Sequence, residues 1–137
     1  MEQKEVDTFK NKMVLAVCFA GSDRSRLVSE ELDKRGYVSS YAGVNRNHNY
    51  VTEQDLDGIG SIIFTSQKVR QMFKKDKKLN KILKENQTVI HNIDVSESDK
   101  ETALQSGELS SLRKTISEKL DALGFNDLRK NNFVKNF

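Results

Sequence analysis

The sequence predicts an α/β fold, a three-layer α/β/α sandwich built on a four-stranded parallel sheet. Four short apolar segments have the length and composition of strands buried on both faces. Segments with helical spacing separate them, and helices are the usual crossovers between parallel strands. The length of 137 residues suits one domain with a modest core.

The first half of the chain contains two strands and one helix. The run MVLAVC, Met13–Cys18, predicts the first strand, and the small polar residues after it predict a loop. Residues 24–35 have helical spacing, and Gly36 is a natural stop. Residues 37–42 (YVSSYA) predict the second strand, which Gly43 closes.

The second half continues the alternation. After a loop at residues 45–50 and a short helical turn capped by Thr52, residues 61–65 (SIIFT) predict the third strand. Residues 67–86 form a basic helical stretch that we expect to break near Asp76. Residues 88–93 (TVIHNI) predict the fourth strand. Apolar residues at steps of three and four over 109–123 then predict the clearest amphipathic helix, which Gly124 ends.

Composition and charge limit both the domain organisation and the classes of protein to which the chain can belong. We expect a polar N-terminal extension at 1–12, a single domain at 13–125 and a C-terminal tail at 126–137. The formal net charge of +3 does not require an anionic partner, and no apolar run approaches the roughly 18 residues that span a bilayer. We therefore expect a cytoplasmic protein without membrane association. A single cysteine excludes an internal disulfide and any zinc site with several cysteines.

The basic helical stretch carries eight cations and is a candidate interaction surface. It also has the pattern of a solvated helix face, and no aromatic-rich RNA-binding motif accompanies it. We expect it to attract phosphorylated or acidic protein partners rather than nucleic acid. Its cations are Lys68, Arg70, Lys74, Lys75, Lys77, Lys78, Lys81 and Lys84.

The segment CFAGSDRS, which runs from the first predicted strand into the first predicted helix, contains most of the candidate catalytic and binding residues. A loop in that position directs backbone N–H groups and a helix N-terminus inward, where they bind an oxyanion. We expect this field and the Arg24 guanidinium to favour the thiolate of Cys18, which makes it a nucleophile. Ser25 can donate a hydrogen bond to the sulfur, and Gly21 permits an unusual backbone angle. The predicted phosphate-binding residues are Phe19, Ala20, Gly21, Ser22, Asp23 and Arg24.

A cysteine, five residues and Arg-Ser after the first strand resemble the motif of the low-molecular-weight protein tyrosine phosphatases. VLAVCFAGSDRSRLVSEEL looks like that family's first strand, phosphate loop and first helix. SSYAG is similar to the end of its second strand, and SIIFTSQKVRQMF to its third strand and following helix. The resemblance implies hydrolysis of phosphotyrosine or a small aryl phosphate through a cysteinyl-phosphate, without metal or cofactor. The RNA polymerase II C-terminal-tail phosphatases share this fold and loop.

The resemblance also implies a general acid in the loop after the fourth strand. In this sequence the corresponding run is acidic but lacks the proline and aromatic residue common in the family. Glu97 is closest by position, with Asp99 and Asp94 as alternatives. The acids of this run are also suited to capping the following helix.

Other functions of the same loop remain open. A module that binds phosphate or a protein partner without turnover would keep the loop and lack a working acid. An arsenate reductase on this fold would need an external thiol, because the chain has one cysteine.

Overall fold

Four parallel strands form one sheet in the computed structural model of the chain, which describes residues 11–21, 23–95 and 109–129. The order across the sheet is β2-β1-β3-β4. The bounds are β1 Met13–Cys18, β2 Val38–Gly43, β3 Ser61–Phe64 and β4 Val89–Asn92. The predicted α/β class and the four-stranded parallel sheet are confirmed.

Five helices occur in the described residues, and three of them start at a side-chain cap, the first of these at Thr52 as the sequence predicts. The Ser66 side chain accepts from the Val69 N–H, and the Asp76 side chain accepts from the Leu79 N–H. Asp76 thereby separates two helices where the sequence predicts a break. The bounds are α1 Arg24–Lys34, α2 Glu53–Leu56, α3 Gln67–Lys74, α4 Lys77–Glu85 and α5 Leu109–Leu123.

The element boundaries differ from the predictions by one residue in several places. The second strand runs from Val38 to Gly43 rather than over 37–42, and the fourth ends at Asn92. The first helix ends at Lys34, because Arg35 already caps it. Just past the ends of β3 and β4, Thr65 and Ile93 each still donate one backbone hydrogen bond to the neighbouring strand, to the Val17 and Phe64 carbonyls. The predicted extension at 1–12 and tail at 126–137 lie largely outside the described residues.

The sheet separates two apolar cores, which is the arrangement of a three-layer fold. On one face α1 and α5 pack over alternate residues of β1 and β3. On the other face α2, α3 and α4 cover the intervening residues. Because adjacent strand residues point to opposite faces, each central strand contributes to both cores. The largest fully buried side chains include Phe64, Leu15, Leu32, Leu56 and Ile116.

The position of β1 determines where a ligand site can form. The chain leaves β1 toward β2 on one side and later reaches β3 on the other. Carboxyl ends of parallel strands at such a reversal leave a crevice that binds ligands. Cys18, the last residue of β1, lies beside Gly43 of β2 and one position past the Val17–Phe64 pair with β3.

The surface of α3 and α4 is basic, as the sequence predicts. Their apolar side is buried in the second core, and all the lysines of the stretch are exposed. Two of them pair with carboxylates, Lys78 with Glu53 and Lys81 with Glu85. Of the helices in the described part of the chain, none has the length and apolar character to cross a bilayer.

Candidate functional site

The loop between β1 and α1 encloses the only cysteine. Cys18 is 3% exposed, and its Sγ accepts a hydrogen bond from the Gly21 N–H at 3.1 Å. Ser25 Oγ lies 3.1 Å from the same sulfur. A backbone N–H and a hydroxyl at this distance favour the negatively charged form of the sulfur. The loop therefore curls back over its own first residue.

Two glycines fix the shape of this loop by direct backbone contact. Gly21 has a φ of +67°, in the left-handed region that favours glycine. A Cβ on Gly21 would lie 2.5 Å from the Gly43 nitrogen, and a Cβ on Gly43 would lie 2.5 Å from the Gly21 nitrogen. Neither position has room for a side chain. The loop can pack against the end of β2 only because both residues are glycine.

Backbone hydrogen bonds secure the loop to the segment that follows β2. The Val44 N–H donates to the carbonyls of Cys18 and Phe19, and the Asn45 N–H donates to the carbonyl of Phe19 at 2.9 Å. These bonds use the carbonyl groups of the loop. The carbonyl oxygens of Cys18 and Phe19 are thus directed toward the segment after β2.

Asn49 is a further support of the loop that the sequence analysis did not identify. Its amide donates to the carbonyls of Gly21 at 2.8 Å and Tyr41 at 3.1 Å. Its backbone carbonyl accepts from the Gly43 N–H at 2.8 Å. One side chain thus connects the loop to β2. Asn49 has a φ of +42°, a conformation that asparagine tolerates better than most residues.

The loop that presents Asn49 is itself fastened to the helical layer. Tyr50 donates from its hydroxyl to Asp76 at 2.7 Å, and the Arg46 guanidinium lies 5.2 Å from the Tyr50 ring centroid. Burial, together with the bond to Asp76, raises the pKa of Tyr50. Burial also opposes ionisation of Asp76, but hydrogen bonds from Tyr50 and the Leu79 N–H outweigh it and lower the pKa of Asp76. The carboxylate therefore stays charged and keeps this link near neutral pH.

Arg24 is buried beside the loop and reaches the segment after β4. It is 6% exposed, and its Nη1 donates to the Val95 carbonyl at 2.7 Å. The Val95 N–H in turn donates to the Thr65 carbonyl at 2.9 Å, just past β3. Val95, which directly follows the predicted acid Asp94, is thereby held against the arginine. A guanidinium carries five N–H donors in a fixed planar arrangement.

The predicted site residues differ in their placement. Four of them, Cys18, Gly21, Arg24 and Ser25, are buried and close together in the loop and the first turn of α1. Asp23 and Phe19 are exposed, and Ala20 is partly exposed. Asp94 is exposed and precedes the buried Val95. Ser22, Glu97 and Asp99 lie outside the described residues.

Sequence reasoning missed three residues of this arrangement: Gly43, Asn49 and Val95. An asparagine in a polar loop and a glycine at a strand end are both signals for special backbone conformations. Neither signal names the contact partner. Val95 contributes a carbonyl, which any residue type supplies. Among residues 11–21, 23–95 and 109–129, no three His, Cys, Asp or Glu side chains are grouped to hold a metal ion.

A buried sulfur that accepts from a loop N–H, followed six residues later by a buried arginine at the start of a helix, can bind a tetrahedral oxyanion and attack it. Comparison of the chain with protein-family models, with curated proteins and with solved structures found no match.

Gly43→Ala tests the contact between the glycines. We expect it to displace the loop, to lower the free energy of unfolding by about 1–3 kcal/mol, as overpacking does, and to abolish binding of vanadate. Urea unfolding and vanadate titration measure the two effects. Gly58→Ala is the control, because Gly58 has a φ of +76° but no atom within 4 Å of the added Cβ. Vanadate affinity equal to wild type in Gly43→Ala would show that the contact does not shape the loop.

Asn49→Gly tests the second support. Glycine adopts the same positive φ, so the variant removes mainly the amide and its two hydrogen bonds. At about 1 kcal/mol for each bond, we expect vanadate affinity to fall by roughly tenfold or more. Asn47→Gly, in the same loop and with an exposed side chain, controls for added flexibility. Equal losses in both variants would assign the effect to flexibility rather than to the amide.

Proposed function

We propose that the protein hydrolyses phosphate monoesters of the phosphotyrosine type through a cysteinyl-phosphate intermediate, with a fold like that of the low-molecular-weight phosphatases. The observation that carries the proposal is the position of the Cys18 sulfur, 3.1 Å from both the Gly21 N–H and Ser25 Oγ. A cysteine that is only structural would not require a loop folded over it. The buried Arg24 beside that loop supplies the positive charge that a phosphoryl group needs.

The first chemical step is attack of the Cys18 thiolate on phosphorus. The S–P bond forms while the bond from phosphorus to the ester oxygen breaks, and a carboxylic acid protonates the departing oxygen. Loop N–H groups and the planar Arg24 guanidinium stabilise the charge on the three equatorial oxygens. Lysine in place of Arg24 would lose the two-pronged contact.

The second step regenerates the enzyme. Water attacks phosphorus, the same carboxylate takes its proton, and the S–P bond breaks to release phosphate and the thiolate. Ser25 assists here, because a hydroxyl 3.1 Å from the sulfur stabilises the leaving thiolate. Neither step changes an oxidation state, and neither uses a metal or cofactor.

The acid belongs to the segment that Val95 anchors. The hydrogen bond from Arg24 to the Val95 carbonyl supports this assignment, because it holds the start of the acidic run beside the loop. Glu97 is our first choice by sequence position, and Asp99 and Asp94 are the alternatives. Phosphotyrosine or a small aryl phosphate is the proposed substrate.

A second candidate function is phosphate binding without turnover. It is favoured by the acidic run DVSESD, which lacks the proline and aromatic residue of the family's acid loop. The same loop would then recognise a phosphorylated protein as an interaction module. Arsenate reduction would additionally require an external thiol, since Cys18 is the only cysteine.

Hydrolysis of p-nitrophenyl phosphate between pH 5 and 7 tests the first function. We expect turnover that vanadate inhibits, no turnover in Cys18→Ser, and a loss of about a hundredfold or more in kcat for Arg24→Lys. Arg113→Lys on α5 is the matched control, because its guanidinium pairs with Glu30 away from the loop. Vanadate binding without turnover and without a trapped phosphocysteine would favour the binding module instead.

Leaving-group dependence identifies the acid. Removal of a general acid slows release of a poor leaving group far more than release of p-nitrophenolate, which leaves without a proton. We expect Glu97→Gln to lower kcat/KM, which reports the steps up to cysteinyl-phosphate formation, at least tenfold more for phenyl phosphate than for p-nitrophenyl phosphate. Asp99→Asn and Asp94→Asn are measured alongside. A uniform effect of Glu97→Gln on both substrates would remove Glu97 from this role.

A further inference from the structure

We propose that an extended phosphorylated protein segment binds as an additional strand on the free edge of β2, with its phosphate in the loop at Cys18. The proposal rests on the proposed function and specifies its substrate class, a protein chain rather than a free small ester. Three features of the described residues support it: an unpaired strand edge, the covering of that edge at one end only, and a groove that joins it to the loop.

The outer edge of β2 has open hydrogen-bonding groups. Gly43 directs its N–H and carbonyl away from β1, because they bond to Asn49 and Val51. Strand residues two apart point their backbone groups to the same side, so Ser39 and Tyr41 also face outward. In the described part of the chain, no backbone group bonds to the Ser39 N–H, the Ser39 carbonyl or the Tyr41 N–H. These are the groups that an added strand would pair with.

The edge of β2 is covered at one end only. Tyr50 forms a parallel bridge with Gly43, and the Asn49 amide occupies the Tyr41 carbonyl. Beyond this point no backbone group among the described residues pairs with the outer edge from Val38 to Tyr41, and the side chains there carry no charge. Exposed strand edges are usually protected by lysine, proline or a bulge, and this one has none of these. Its composition is suited to pairing.

An open groove of about 660 Å³ connects this edge to the loop. Ser39, Ser40 and Tyr41 line its strand side. Gly21, Asp23 and Arg26 line its other side, at the phosphate loop and the first turn of α1. An extended chain advances about 3.3 Å per residue, so a few residues beside the phosphorylated one are enough to follow the groove to the edge.

The extent of the open edge favours a peptide over a second copy of this chain. Only two outward-facing residues, Ser39 and Tyr41, are available, whereas a standard stable interface buries about 800 Å² on each partner. A peptide whose phosphate is already bound in the loop needs a smaller contact area on the edge of β2. Val38 is 55% exposed and Tyr41 is 39% exposed, on opposite faces of the strand. They would contact apolar side chains of the bound segment.

Binding of three probes to the wild-type protein tests the proposal. The first is a capped single residue bearing a non-hydrolysable phosphonate analogue of phosphotyrosine. The second is a nine-residue peptide with that residue at its centre and alternating apolar and polar flanks. The third is the same peptide with alternate backbone amides N-methylated, which blocks strand pairing. We expect the plain peptide to bind at least tenfold more tightly than the single residue, and the methylated peptide to lose that gain.

Amide chemical shifts and two variants locate the contact. We expect the plain peptide to shift the Ser39 and Tyr41 amide signals. We also expect Tyr41→Pro, which removes an outward N–H, to lose the peptide's gain, while Tyr41→Phe, which keeps both the N–H and the ring, retains it. If Tyr41→Pro does not fold, the methylated peptide on wild-type protein still decides the question.

Vanadate titration distinguishes a failure of the edge site from a failure of the proposed function. Vanadate binding together with equal affinity for all three probes would overturn the edge site and leave the phosphate loop intact. A protein that does not bind vanadate would overturn the proposed function and the edge site with it. If the protein forms concentration-dependent dimers and Tyr41→Pro abolishes them, the edge binds a second copy of the chain. If deletion of residues 1–10 or 130–137 tightens peptide binding, the edge is occupied by the chain's own terminal residues. Either result would overturn the peptide proposal.

Discussion

The contact between Gly21 and Gly43 is the constraint on which the site depends. It brings the loop after β1 against the end of β2 with backbone touching backbone, and it places the Gly21 N–H 3.1 Å from the Cys18 sulfur. A side chain at either position would push the loop away from the sheet. The hydrogen bonds from Val44 and Asn45 to the loop carbonyls then hold this arrangement in register. The loop is therefore shaped by the sheet beneath it as much as by its own sequence.

Val95 is a second backbone contact that shapes the site, at the segment after β4. Its N–H bonds to the Thr65 carbonyl and its carbonyl accepts from Arg24, so it joins the end of β3 to the loop arginine. The side chain is fully buried in the core under α1 and α5. The guanidinium is thus oriented by a main-chain oxygen before any ligand arrives, which reduces the reorganisation needed when an anion binds. The same anchor fixes where the acidic segment begins.

Much of the fold was predictable because its signals are local. The apolar run of β1, the break at Asp76 and the apolar spacing of α5 each appear within a few residues of sequence, and the structure confirms all three. The contacts that shape the site are not local. Asn49 reaches a carbonyl 28 residues earlier, and Arg24 reaches one 71 residues later. Both use main-chain oxygens, which every residue type provides, so no residue pattern indicates the partner.

Because β1 lies inside the sheet, the buried loop at its end and the exposed rim around that loop are distinct parts of the structure. The sulfur and the arginine stand on buried elements, with neighbouring strands on both sides of β1. The surrounding rim consists of the segment around Asn45–Tyr50 and the uncovered edge of β2, which are largely exposed. Within this rim the side chains of Asn49 and Tyr50 hold the loop, whereas those of Val38, Asn47 and His48 are exposed. Exposed positions of this kind accept mutations that leave the buried sulfur and its surroundings undisturbed.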